Sequence, residues 1–181
     1  MARKQDRRKS SPAAAILTVL VLAALFVWRM LGSPEDGKTQ ITLPNGELHV
    51  WFLDVGQADS SLLVCDGQAM LIDGGNVDDA SYVVASLEQY GVTSLDYVIN
   101  THCDEDHVGG LAGVLAKFPA EHVWSSTAGY GTKAFSNFVK YANEQGRAIE
   151  IPSPGDTFTL GEAEITVLGR CRYNELPFEI N

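Results

Sequence analysis

The sequence predicts a mixed α/β domain (α+β in some schemes) over residues 48–181 behind one apolar N-terminal helix, and three observations carry that prediction. Short runs rich in β-branched and aromatic residues alternate with segments of helical period. One apolar run follows a strongly basic N-terminus. A loop crowded with acids and histidines leaves the end of a strand-like run, where binding and catalytic loops commonly begin.

Residues 1–12 carry Arg3, Lys4, Arg7, Arg8 and Lys9 and read as a basic cytoplasmic tail. From Ala13 to Trp28 the chain is apolar except for Thr18; carried on across Arg29 to Leu31 it makes about 28 Å of helix, close to the hydrocarbon thickness of a bilayer. Arg29 can snorkel to the interface. No small-x-small cleavage site follows Trp28, which favours an uncleaved signal anchor at 13–31 over a removed signal peptide. The basic excess before the span places the N-terminus in the cytoplasm and the domain outside, giving a single-pass protein of the cell membrane with an extracellular C-terminal domain. Residues 32–47, with Ser33-Pro34-Glu35-Asp36-Gly37, read as a linker.

From residue 34 onward 7 basic residues face 22 acidic ones, a net charge of −15. Such a surface repels polyanions, and no basic tracking patch is visible; a nucleic-acid substrate would be drawn mainly by bound cations. The three cysteines, Cys65, Cys103 and Cys171, allow at most one disulfide and match no structural zinc spacing.

Leu48 to Val55 and Leu62 to Cys65 read as strands, and Asp66-Gly67 as a hairpin turn into a third strand over Gln68–Asp73, so the domain opens antiparallel. Gly74-Gly75-Asn76 breaks the chain. Asp78 is the expected N-cap of a helix whose stripe includes Tyr82, Val83, Leu87 and Tyr90, stopped by Gly91. A strand follows at Leu95–Asn100, then the acid and histidine loop, then a short helix from Leu111 to Phe118 before Pro119. His122 to Ser125 reads as a strand. Thr132 to Gln145 reads as an amphipathic helix with Phe135, Phe138, Val139 and Ala142 on one side. Thr157–Leu160 and Ala163–Leu168 are strands between turns at Pro154-Gly155-Asp156 and Gly161-Glu162.

The loop reads Thr101-His102-Cys103-Asp104-Glu105-Asp106-His107-Val108-Gly109-Gly110. Acidic runs are commonly solvated, but here two histidines bracket the acids at ligand spacing and a glycine pair permits a tight turn. His102 and Asp104 can reach one cation; Asp106 and His107, diverging on an irregular turn, suit a second or a bridging role. Two paired cations are a common arrangement for hydrolysing phosphate esters. Cys103 is expected to point away from the ligands, and His49 and His122 to be structural.

His102-x-Asp104-x-Asp106-His107 resembles the metal-binding signature of the metallo-β-lactamase superfamily, in the variant with an Asp in place of the middle His. Leu53-Asp54-Val55-Gly56-Gln57-Ala58-Asp59-Ser60 and Leu71-Ile72-Asp73-Gly74-Gly75 resemble the opening blocks of the domain found in ComEC-like DNA-uptake competence proteins. The resemblance covers roughly residues 48–175. It implies an αββα sandwich, a divalent metal (zinc first, with manganese or magnesium as alternatives), hydrolase chemistry resting on Asp106, and DNA as a substrate. It also implies that Asp73, with Asp59, supports the metal loop from behind; from composition a plain turn at Asp73 and a turn cap at Asp59 stand beside those roles. In the superfamily a later Asp and His complete the site. The last residues, 170–181, contain neither, and Asn174 resembles a weak replacement ligand, so the sandwich is expected to be partial at its C-terminus and its site to need a further segment or partner chain.

Two functions follow: a membrane-anchored, outward-facing metal-dependent hydrolase acting on phosphodiester bonds, or a non-catalytic surface module, either a decayed, truncated relative or a metal-binding interaction domain.

Overall fold

The computed structural model describes residues 43–169 together with Val21 and Ala23, which are helical. Contacts divide the chain at Thr39–Gln40, and the unit over 40–181 is the one treated below. Among the described residues no helix is long and apolar enough to cross a membrane. The expected anchor lies outside them apart from Val21 and Ala23, and so do Cys171 and Asn174.

Six strands form the main sheet, in the order of the chain: β1 (His49–Phe52), β2 (Ser61–Cys65), β3 (Gln68–Ile72), β4 (Leu95–Asn100), β5 (Ala120–Ser125) and β6 (Ile149–Glu150). The first three are antiparallel. Asp66 and Gly67 take φ of 49° and 79°, the left-handed pair that a two-residue hairpin matched to strand twist requires. From β3 onward the strands are parallel, and parallel neighbours need crossovers long enough to hold helices. These are α1 (Ala80–Gln89), α2 (Glu105–Val108), α3 (Leu111–Lys117) and α4 (Lys133–Glu144).

Register decides what each face carries. Leu62, Leu71, Val98 and Val123 are aligned across four strands and fully buried against Val83, Leu87, Leu111, Val114, Phe135 and Phe138 of the helices. Each such side chain contributes about 1.5–3 kcal/mol. On the opposite face Leu63, Met70 and Tyr97 are aligned and meet a separate hairpin, β7 (Thr157–Leu160) with β8 (Ala163–Thr166), through Phe158, Leu160 and Ile165. The layers are therefore helix, six-stranded sheet and two-stranded hairpin, the first three layers of the expected αββα sandwich, with a short second sheet and no helix beyond it among the described residues. Phe52, at the end of β1 on the hairpin face, is 84 % exposed.

Three local expectations change. Asp78 is not an N-cap: it lies in a 3-10 turn over Val77–Asp79, where Asp79 Oδ2 accepts from the Asn76 N–H and Nδ2 at 2.8 and 3.2 Å, and α1 starts at Ala80. Asp79 wins because it stands three residues after Asn76, the spacing at which a side chain can reach back to the helix entry. Residues 105–108 form one helical turn rather than an irregular one. The last strand ends at Thr166, leaving Leu168 90 % exposed. The helix over 133–144 is capped as its sequence suggests, Thr132 Oγ1 accepting from the Phe135 N–H at 3.3 Å.

Candidate metal centre

Three loops meet at the carboxyl ends of β3 and β4. The Asp73 N–H donates to the Ile99 carbonyl at 2.8 Å, and Asp73 then turns out of the ladder at φ +57°, a conformation Asp tolerates. Its carboxylate, 3 % exposed, accepts from the Thr101 N–H at 2.8 Å, from the Thr101 hydroxyl, and from His107 Nδ1 at 2.9 Å. A carboxylate only accepts, so His107 carries a proton on Nδ1, and in the neutral ring this leaves the Nε2 lone pair free. Thr101 has one hydroxyl proton, and Asp73 takes it. His102 Nδ1, 3.1 Å from Thr101 Oγ1, is then the donor of that pair, which frees His102 Nε2 as well. One buried acid thereby sets the tautomer of both histidines, the second through Thr101.

Backbone hydrogen bonds lace the loops together. Gly74 N–H donates to the His107 carbonyl at 2.7 Å, Gly110 N–H to Gly75 at 3.1 Å, Asp59 N–H to Asp106 at 3.1 Å and Gly75 N–H to Asp59 at 2.9 Å. Ser60 Oγ, buried, donates to the Asp73 carbonyl at 3.0 Å. Gly109 and Gly110 do not supply a left-handed turn: their φ values are −56° and −77°. They are needed for close approach, since a Cβ on Gly110 would overlap the Gly74 carbonyl and one on Gly109 would overlap the Val77 nitrogen and the Glu105 carbonyl.

On this platform the donor atoms of His102, Asp106 and His107 lie within 4.8 Å of one another. His102 Nε2 is 3.6 Å from Asp104 Oδ2, His107 Nε2 is 3.9 Å from Asp106 Oδ1, and the two imidazole rings are 3.7 Å apart. Two donors bound to one tetrahedral cation at about 2.0–2.2 Å stand about 3.4 Å apart, so each pair is near the spacing for a separate cation. Two freed imidazole nitrogens and two carboxylates suit a divalent cation of borderline hardness. Asp59 Oδ2 also reaches to 3.6 Å from His107 Nε2.

Cys103 points the other way, buried in the helix-side core, where it accepts from Asn100 Nδ2 at 3.6 Å. His49 stacks on Trp51 in β1, and His122 stacks on Tyr97 and meets Glu150 at 3.0 Å. Thr101 is a site residue that sequence reasoning does not single out; a hydroxyl immediately before the first histidine is its signal. Beside His102 opens a cleft of about 570 Å³ lined by Met70, Ile72, Ile99, Trp124 and Phe158. Tyr97 packs against Trp124 and Phe158 there, and burial, then the nearby Glu121, Asp96 and Glu150 charges, push its pKa up.

The sequence profile of the metallo-β-lactamase superfamily matches residues 53–174. The chain belongs to that superfamily. Its domain is therefore of the hydrolase type whose fold binds divalent metals. Recombination protein 2 of Haemophilus influenzae is 30 % identical over 116 residues, 59 % of this chain and 14 % of that protein. An anaerobic nitric oxide reductase flavorubredoxin of Aliivibrio salmonicida is 30 % identical over 70 residues, 38 % of this chain and 14 % of that one. Among solved structures, MEM-A1, a subclass B3 metallo-β-lactamase from a soil metagenome library, aligns over 71 % of this chain and 53 % of its own with 18 % identity and a TM-score of 0.51. SMB-1 bound to 2-mercaptoethanesulfonate aligns over 67 % and 50 % with 23 % identity and a TM-score of 0.50. At these identities the structures establish the fold alone. The chain spans about half the length of these solved relatives.

Proposed function

We propose that this protein is a membrane-anchored hydrolase of the ComEC-like branch, facing outward, that uses two divalent cations, zinc foremost, to cleave phosphodiester bonds of DNA. The observation that carries the proposal is the Asp73 network, which leaves both histidine Nε2 atoms free beside two carboxylates. Likeness to a protein named for recombination supports a nucleic-acid substrate. Bound divalent cations would supply acidified water and neutralise the charge that develops on the phosphoryl oxygens.

His102 and Asp104 would hold one cation, and Asp106 and His107 the other. Asp104 and Asp106, 58 % and 41 % exposed at their side chains, leave the centre open to water and substrate. Asp106, whose carboxylate lies within 4.8 Å of the His102 and His107 donor atoms, is the residue on which catalysis would rest. The apolar cleft beside His102 accepts the less polar part of a substrate, and Trp124 and Phe158 offer ring surface to a base. The net charge of −15 from residue 34 onward leaves attraction of a polyanion to the cations themselves.

Among the described residues every ligand comes from one side of the centre. We propose that the open side is closed by a further segment or a partner chain, and that the 181-residue chain alone turns over slowly. The test is cleavage of DNA and of a model phosphodiester by the chain with zinc or manganese, alone and with the second half of a ComEC-like domain added. Slow turnover that rises on addition and vanishes with Asp106→Ala supports the proposal. Metal binding with no turnover in either case favours the non-catalytic surface module, a reading that the one-sided ligand set motivates. Orientation is tested by protease on intact cells: cleavage after Pro34 is expected, and full protection would refute it.

A further inference from the structure

We propose that Asp59 is itself a cation ligand, joining Asp106 and His107 around one ion while His102 and Asp104 hold the other. The proposal deepens the metal-centre reading and rests on it. Asp59 Oδ2 stands 3.6 Å from His107 Nε2, the same separation as His102 Nε2 from Asp104 Oδ2, and near the 3.4 Å or so expected for two donors on one tetrahedral ion. The nitrogen it faces is the one freed by the Nδ1 bond to Asp73.

The backbone holds Asp59 in place for this. Its N–H donates to the Asp106 carbonyl at 3.1 Å and its own carbonyl accepts from Gly75 at 2.9 Å, so residue 59 is tied to the two segments that carry the other donors and their support. The carboxylate is 73 % exposed, and His107 is its partner among the described residues. An acid with a pinned backbone, whose side chain has no other partner among the described residues and lies beside a candidate ligand nitrogen, is placed for coordination rather than for capping a turn. The His107-side ion then has three protein donors from two loops, the number usual in an open catalytic site.

The competing account is a plain ion pair between Asp59 and a doubly protonated His107. Cobalt titration of the full chain, stripped of metal, separates the two. Wild type is expected to bind two ions. Asp59→Asn should weaken one of them about 10- to 100-fold and spare the other, whereas Asp104→Asn should weaken the one that Asp59→Asn spares. Asp59→Cys should produce a near-ultraviolet thiolate-to-cobalt charge-transfer band absent from wild type, which an ion-pair position cannot give. Both substitutions keep the backbone bonds of residue 59, and circular dichroism checks that they fold. Two ions at wild-type affinity in Asp59→Asn, or no new band in Asp59→Cys, would overturn the proposal while leaving the centre standing if Asp106→Asn still loses an ion. Wild type that binds no cobalt would overturn the proposal and the metal-centre reading together.

Discussion

Asp73→Asn separates the charge of the buried acid from its shape. Asn fills the same space and is among the few residues that tolerate the φ of +57° at this position. The carboxylate accepts three hydrogen bonds, one on Oδ1 from the Thr101 N–H and two on Oδ2 from the Thr101 hydroxyl and His107 Nδ1. An amide offers one oxygen and one NH2 group, so in either orientation at least one of these donors faces another donor. A buried donor left unmet costs about 1–3 kcal/mol, and the bonds that survive lose their charge assistance. A total near 3 kcal/mol lowers the melting temperature of a domain of this size by about 10 °C. His107 can escape the clash by moving its proton to Nε2, which removes the lone pair from the centre. Zinc affinity should then fall about 10- to 100-fold. Thermal denaturation by circular dichroism, zinc calorimetry and nitrogen NMR of the histidine tautomers read the three effects. A variant that melts within about 2 °C of wild type and binds zinc equally well would refute the claim that this acid organises the site.

The relay through Thr101 predicts that Thr101→Val weakens the His102-side ion about tenfold and that Thr101→Ser restores it, by calorimetry; equal affinities would remove the relay. Gly110→Ala should destabilise by about 3 kcal/mol in urea denaturation, because its Cβ meets the Gly74 carbonyl, whereas Gly129→Ala, with nothing within 4 Å, should stay within about 0.5 kcal/mol of wild type. The Gly46 and Glu162 N–H groups hold the Asp66 pKa down, so the stability it adds is present above its unfolded value of about 3.9 and is lost as pH falls from there through the lower folded value. Asp66→Asn should flatten that acid limb in pH-dependent melting. Tyr97 is shifted up by burial, so its contribution is intact below about pH 10 and is lost as pH rises through the folded value; Tyr97→Phe should blunt the alkaline loss.

Features set within a few residues were legible in the chain. Asp66-Gly67 named its turn because two successive left-handed residues exclude most others, and Thr132 with the Phe135 and Phe138 stripe named α4 because capping and period are local properties. The loop from His102 to His107 brings its candidate donors together for the same reason, since they lie within one helical turn and a short lead-in. Local signals failed where two candidates competed at close spacing, as Asp78 and Asp79 did for the entry to α1. They had nothing to say about Gly110, whose need for glycine comes from the backbone of Gly74, a partner brought near only by the parallel register of β3 and β4. The same register sets Asp73 beneath Thr101 and His107, and the lacing of residue 59 to 75 and 106 turns Asp59 toward His107. Composition can supply histidines and acids, but which nitrogen keeps its lone pair is decided by a hydrogen-bond acceptor that arrives from another strand, and that requires the folded sheet.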